Sequence, residues 1–146
     1  DLILIPEIPW KESSIAGYLT ERAENNKPYS IVVVAEGIRV PVKDKSPGQY
    51  IAGRISELTG LETRETVLGY IQRGGSPSPT DRIIASQFGA TAANMIAERD
   101  FGKMVANRNC GIGSVPLSEV AGKTRMIEPD NPILRQAMEM GTSFGT

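Results

Sequence analysis

Arg73 is followed at once by Gly74 and Gly75, then by Ser76 and Pro77. An arginine presents a planar fork of donors that suits a phosphate. Two glycines let the backbone come close to a ligand, and a helix starting just beyond adds free N–H groups. As spacing alone the signal is weak, because Gly-Gly before Ser-Pro is more often a turn. A second candidate is Glu36, which with Gly37 ends the run Ser30 to Ala35 (SIVVVA). A carboxylate at a strand end can accept hydrogen bonds from sugar hydroxyls. Arg64 lies nine residues before Arg73. On one straight strand their Cα atoms would be about 30 Å apart, beyond the combined reach of both side chains. Three alternatives stay open: one arginine is structural, the strand bends sharply, or Arg64 serves a neighbouring copy. The bland reading of Arg64 is an exposed strand residue paired with Glu62 or Glu65.

Composition narrows the chemistry. The 146 residues hold no histidine, so Ser-His-Asp and Cys-His catalysis, histidine metal ligands and a histidine base are all excluded within them. A single cysteine, Cys110, cannot form an internal disulfide or a thiolate zinc site. Sixteen Lys and Arg against 17 Asp and Glu give a net charge of −1, which argues against a generic nucleic-acid or acidic-membrane binder. The longest apolar run, Ile31 to Ala35, is far short of a membrane span. The start, DLILIPEIPW, has no basic region or cleavage site of a signal peptide and reads as a strand entered in mid-fold. The chain is therefore expected to be a piece of a longer one.

The elements that must position these residues follow from periodicity. Leu2 to Ile5 is an apolar run stopped by Pro6, consistent with a buried strand. Ile15, Tyr18, Leu19 and Arg22 repeat at helical spacing, with Ser13 and Ser14 as candidate caps and an end near Asn25 to Pro28. Ser30 to Ala35 is the best strand. Ile38 to Pro47 reads as a loop or small hairpin. Gln49 to Leu58 reads as a helix capped by a left-handed Gly60. Thr63 to Gln72 reads as a strand. A long helix follows, with Asp81 in its first turn and Ile84, Phe88, Ala92 and Met95 on one face. Lys103 to Leu117 reads as a hairpin turning around Asn107 to Gly111. Asp130-Asn131-Pro132 opens a last helix that ends at Gly141. Alternating strands and helices predict an α/β fold: a three-layer αβα lobe with a mainly parallel sheet, followed by a C-terminal hairpin and helix.

The stretch ETRETVLGYIQRGGSPSPTDRIIASQFGATA, from Glu62 to Ala92, resembles the C-terminal half of the 6-phosphofructokinase family. So do LILIPE, IVVVAEG and the tail MVANRNC…VPLSEVAGK…PDNPILRQAMEMGTSFG. The likeness covers nearly the whole chain, and its tail is most similar to the subgroup that mixes ATP-using and pyrophosphate-using members. The resemblance implies transfer of a phosphoryl group from ATP, or from pyrophosphate, to the 1-hydroxyl of fructose 6-phosphate. It implies that Glu36 hydrogen-bonds sugar hydroxyls and that Arg73 binds the 6-phosphate. Arg64 would reach that phosphate from an adjacent subunit of a homo-oligomer. Tyr70 stands where many members carry a histidine in LGHIQRGG; a phenol donates one hydrogen bond but carries no positive charge. Asp1 and Lys27 match two positions of the family's effector pocket, although as residues both read as solvated surface groups.

The family's Gly-Gly-Asp phosphate loop, its Asp-rich segment with base and magnesium ligand, and its Met-Gly-Arg sugar contact have no counterpart here. The Mg2+ ligands are thus expected in an N-terminal half, and this stretch alone is expected to be inactive. Residues 1–100 would form the fructose 6-phosphate lobe, and 101–146 would pack on that other half. The family implies a cytoplasmic enzyme without nucleic-acid or membrane partners. A non-catalytic sugar-phosphate-binding regulatory module is the other function class the residues allow.

Overall fold

The computed structural model describes residues 1–108 and 111–146. They divide into two compact units, 1–67 with 126–146, and 68–125. This is a division by compactness. The boundary expected at 100/101 is one of role rather than of compactness.

The first unit is α/β. Strand β1 (Leu2–Leu4) pairs in parallel with β2 (Val32–Val34), Leu2 opposite Val32 and Leu4 opposite Val34. Helix α1 (Glu12–Glu24) makes the crossover between them. Helix α2 (Pro47–Thr59) packs against α1 and β2. The returning tail runs beside β1: Leu2 bridges Ser143 in parallel, and the Ile3 N–H donates to the Ser143 carbonyl at 2.9 Å. Leu2, Leu4, Ile15, Leu19, Ile38, Ile51 and Ile55 form the core. Full burial of each such side chain contributes about 1.5–3 kcal/mol. The β1–β2 pair is the parallel sheet that the alternation predicts; the sheet is two-stranded, and the helices of this unit are α1, α2 and the short α5 (Pro132–Glu139).

Local chemistry sets the helix ends. Ser46 and Gln49 form a capping box at the start of α2, with Pro47 in the first turn, and Gly60 closes it in the left-handed conformation at φ 71°. Asn131 caps α5 by accepting from the Ile133 N–H at 2.9 Å. Ser13 and Ser14, the expected caps, do not cap α1. The N-cap of α1 is Lys11, which offers no side-chain bond, and both serines lie inside the first turn. The reason is tertiary: the Lys11 N–H is held by the Gly145 carbonyl at 2.8 Å, which fixes where the helix can begin.

The second unit holds α3 (Pro79–Ala97) against an antiparallel hairpin of β3 (Lys103–Arg108) and β4 (Gly111–Pro116), followed by the short α4 (Leu117–Val120). Of the turn expected around Asn107 to Gly111, Asn109 and Cys110 lie outside the described residues, and Arg108 pairs with Gly111. Ser78 and Asp81 make a capping box on α3, and Ile84, Phe88, Ala92 and Met95 are on its half-buried face, as their spacing predicts.

The expected strand from Thr63 to Gln72 does not form. Residues 61–68 carry no regular structure, and Gly69–Arg73 is a 3-10 turn. The β-branched composition favours a strand, but a strand needs a ladder partner, and neither sheet supplies one to this segment.

Candidate functional site

Glu36 stands in the turn that leaves β2, at the carboxyl end of the parallel sheet, with its side chain exposed. Ligands of doubly wound folds bind at that end. The turn after β1 packs against it: a Cβ built on Gly37 would lie 3.4 Å from the Pro6 ring. That neighbouring turn carries a second carboxylate, Glu7, which the sequence reading passed over. Its Oε1 accepts from the Ile127 N–H at 3.0 Å, and its Oε2 is enclosed without a partner. The signal was present in the sequence, since LILIPE and IVVVAE both close an apolar run with a glutamate.

Arg64 follows α2 and is 87% exposed. Its Nε and Nη2 donate to Glu62 Oε1 at 3.1 and 2.9 Å, the pairing the bland reading foresaw. So exposed a pair is worth at most about 1 kcal/mol, and a phosphate competes with it easily.

Tyr70 and Arg73 belong to the second unit and share one 3-10 turn. Positions i and i+3 of such a turn eclipse each other, so the phenol and the guanidinium leave the same side. Both are exposed, Tyr70 at 88%. Beyond them Gly74 and Gly75 lead into the Ser78 cap of α3. Asp81 Oδ2 accepts from the Ser78 hydroxyl and the Ser78 N–H, both at 2.8 Å, and these bonds hold its carboxyl below the usual range.

Thus Tyr70 and Arg73 are brought together on one turn, while Glu36 and Arg64 sit at separate points of the first unit. An open cleft of about 350 Å³ on the first unit, lined by Lys45, Tyr50 and Arg54, contains none of them. Among the described residues, no three of His, Cys, Asp and Glu gather where they could hold a metal ion.

Asp1 is exposed, as expected of a surface group, and is also engaged within the unit. Its Oδ1 pairs with Arg22 at 2.8 Å, and its Oδ2 accepts from the Ile31 N–H at 2.8 Å. A ligand would have to displace that ion pair to use this carboxylate. Lys27 is exposed in the loop after α1.

Residues 1–96 match the family model described as Phosphofructokinase. The chain is 49% identical over 145 residues to ATP-dependent 6-phosphofructokinase 3 of Bacteroides thetaiotaomicron, spanning 99% of this chain and 43% of the relative. It is 44% identical over 161 residues to ATP-dependent 6-phosphofructokinase of Spirochaeta thermophila, again covering 99% of this chain and 44% of that one. Its fold resembles the crystal structure of the pyrophosphate-dependent phosphofructokinase of Nitrosospira multiformis, with a TM-score of 0.62 at 23% identity over 88% of this chain and 35% of the other. The pyrophosphate-dependent enzyme of Marinobacter aquaeolei gives 0.59 at 22% identity over 86% and 33%. The chain spans less than half the length of the curated relatives it matches. With 96 of its residues under one family model and close relatives along its whole length, the chain belongs to the phosphofructokinase family.

Proposed function

We propose that this chain is the C-terminal, sugar-phosphate-binding part of a 6-phosphofructokinase that transfers a phosphoryl group from ATP to the 1-hydroxyl of fructose 6-phosphate. The observation that carries the proposal is the Tyr70–Arg73 turn, an exposed phenol and arginine three residues apart in one 3-10 turn that leads through two glycines into a capped helix. In this reading Arg73 grips the 6-phosphate, Tyr70 donates one hydrogen bond beside it, and Glu36 accepts from the sugar hydroxyls. Arg64 reaches the 6-phosphate of a neighbouring subunit, so the complete enzyme is a homo-oligomer. These contacts lie at the far end of the sugar from the reacting hydroxyl. Their role is to turn remote binding energy into alignment of that hydroxyl.

The donor site, the base and the magnesium ligands belong, in this reading, to the rest of the enzyme. The residues of this chain bind and orient the acceptor. The relatives at 49% and 44% identity are named ATP-dependent, which favours ATP as donor. The structural neighbours are named pyrophosphate-dependent, which supports pyrophosphate as the second reading. Steady-state assay of the full-length enzyme with each donor decides between them.

The test of the acceptor site is Arg73→Ala in the full-length enzyme. Loss of a charge-assisted phosphate contact is expected to raise the KM for fructose 6-phosphate by about 10-fold or more, with the donor KM unchanged. An unchanged fructose 6-phosphate KM would overturn the assignment.

A further inference from the structure

The two residues flanking Arg64 are both tied to helix α2. The Thr63 hydroxyl donates to the Ala52 carbonyl at 3.1 Å, and Glu65 Oε1 accepts from the Ser46 hydroxyl at 3.0 Å. Ser46 is the N-cap of α2, so the Glu65 carboxylate rests on the positive end of that helix. It fits there because Gly48 has no side chain. A Cβ built on Gly48 would lie 2.6 Å from Glu65 Oε1, closer than real atoms approach. Just before, Leu61 packs on the core, its N–H donating to the Thr59 hydroxyl at 3.2 Å.

The pattern alternates. Leu61 and Thr63 are half-buried, whereas Glu62 and Arg64 are exposed at 78% and 87%. The alternation ends there, since Glu65 is exposed too; what holds this irregular segment is a side-chain bond to one helix on either side of Arg64. One anchor precedes Arg64, another follows it, and the guanidinium is left facing solvent.

We propose that Thr63 and Glu65, with the gap left by Gly48, are positioning residues that aim Arg64 outward at the phosphate of a sugar phosphate bound by an adjacent subunit. This rests on the reading of Arg64 given above. Without either anchor the segment swings free, and the arginine must be reordered on each binding event. The cost falls on acceptor binding and not on the chemical step.

The experiment is steady-state kinetics of the full-length oligomeric enzyme carrying Thr63→Ala, Glu65→Ala or Gly48→Ala, each with and without Arg64→Ala. Every single variant is expected to raise the fructose 6-phosphate KM by about 2- to 10-fold while kcat and the donor KM hold. Thr63→Ser is expected to restore the wild-type KM. In the Arg64→Ala background the same changes should add nothing, because they act through that side chain. Thermal unfolding separates misfolding from misaiming. Should Gly48→Ala disturb α2, Glu65→Ala removes the same contact without touching the helix. If Arg64→Ala raises the KM but the flanking variants do not, or if their effects simply add to it, the positioning role is overturned and the Arg64 assignment stands. If Arg64→Ala itself leaves the KM unchanged, the trans assignment of Arg64 fails, and the positioning role fails with it.

Discussion

Arg54 on α2 donates both Nε and Nη2 to Glu12 Oε2 on α1, at 2.8 and 2.7 Å. The Tyr50 hydroxyl donates to the other oxygen of the same carboxylate, and Glu57 takes a further bond from Arg54. The cluster ties the two helices that pack on the core beneath the sheet.

This pairing gives a pH-dependent contribution with a definite sign. The Arg54 bonds, then the Tyr50 bond, hold the Glu12 carboxyl below the ordinary carboxylate range. The same contact pushes the Tyr50 phenol up. A carboxylate whose folded pKa is depressed adds stability above its unfolded pKa of about 4.3, and loses it as pH falls through the folded value. Glu12→Gln is therefore expected to cost about 1 kcal/mol or less at pH 7, the two groups being partly exposed. The gap from wild type should close as pH falls below the ordinary carboxylate range. Urea midpoints of both proteins from pH 7 to pH 3 check this; a gap that widens towards acid would contradict it.

Gly145 offers a test of the tail's packing. It adopts φ 74°, and a Cβ there would lie 3.0 Å from Leu4 Cδ2, 3.1 Å from Ile15 Cγ1 and 3.2 Å from Trp10 Cβ. Gly145→Ala should combine backbone strain with overpacking and cost about 2 kcal/mol or more. Gly17 inside α1 has open space around it, so Gly17→Ala should be neutral or gain up to about 1 kcal/mol. Paired melting curves that show equal shifts would refute the placement of the tail against β1 and α1.

What was legible in the sequence was what neighbouring residues decide among themselves. The Asp81 first turn, the left-handed Gly60, the Asn131–Pro132 start and the Ile84-Phe88-Ala92-Met95 face are all set within a few residues. What failed depends on distant partners. Thr66, Val67 and Ile71 favour a strand, yet no ladder partner meets them, and the segment becomes coil and a 3-10 turn. Lys11 replaces Ser13 and Ser14 as the cap because Gly145 reaches it from the far end of the chain. Asp1 is the surface group expected, but its partners Arg22 and Ile31 were not legible because they are remote in sequence. At the candidate site, Glu36, Arg64, Tyr70 and Arg73 were named from motifs. The bonds of Thr63 to Ala52 and of Glu65 to Ser46 were not legible, because they join the segment to a helix 11 and 19 residues away.

If the donor site and base reside elsewhere in the full enzyme, these 146 residues bind only the acceptor side. The purified chain is expected to show no phosphoryl transfer to fructose 6-phosphate with ATP or pyrophosphate. Steady turnover, proportional to the concentration of the chain, would contradict the division of labour proposed here.

The most direct measurement is a crystal structure of the full-length assembly with fructose 6-phosphate bound. The account predicts Arg73 of one subunit and Arg64 of its neighbour both within about 2.7–3.2 Å of the 6-phosphate oxygens. Two guanidinium groups standing away from that phosphate, with other side chains holding it, would contradict the account.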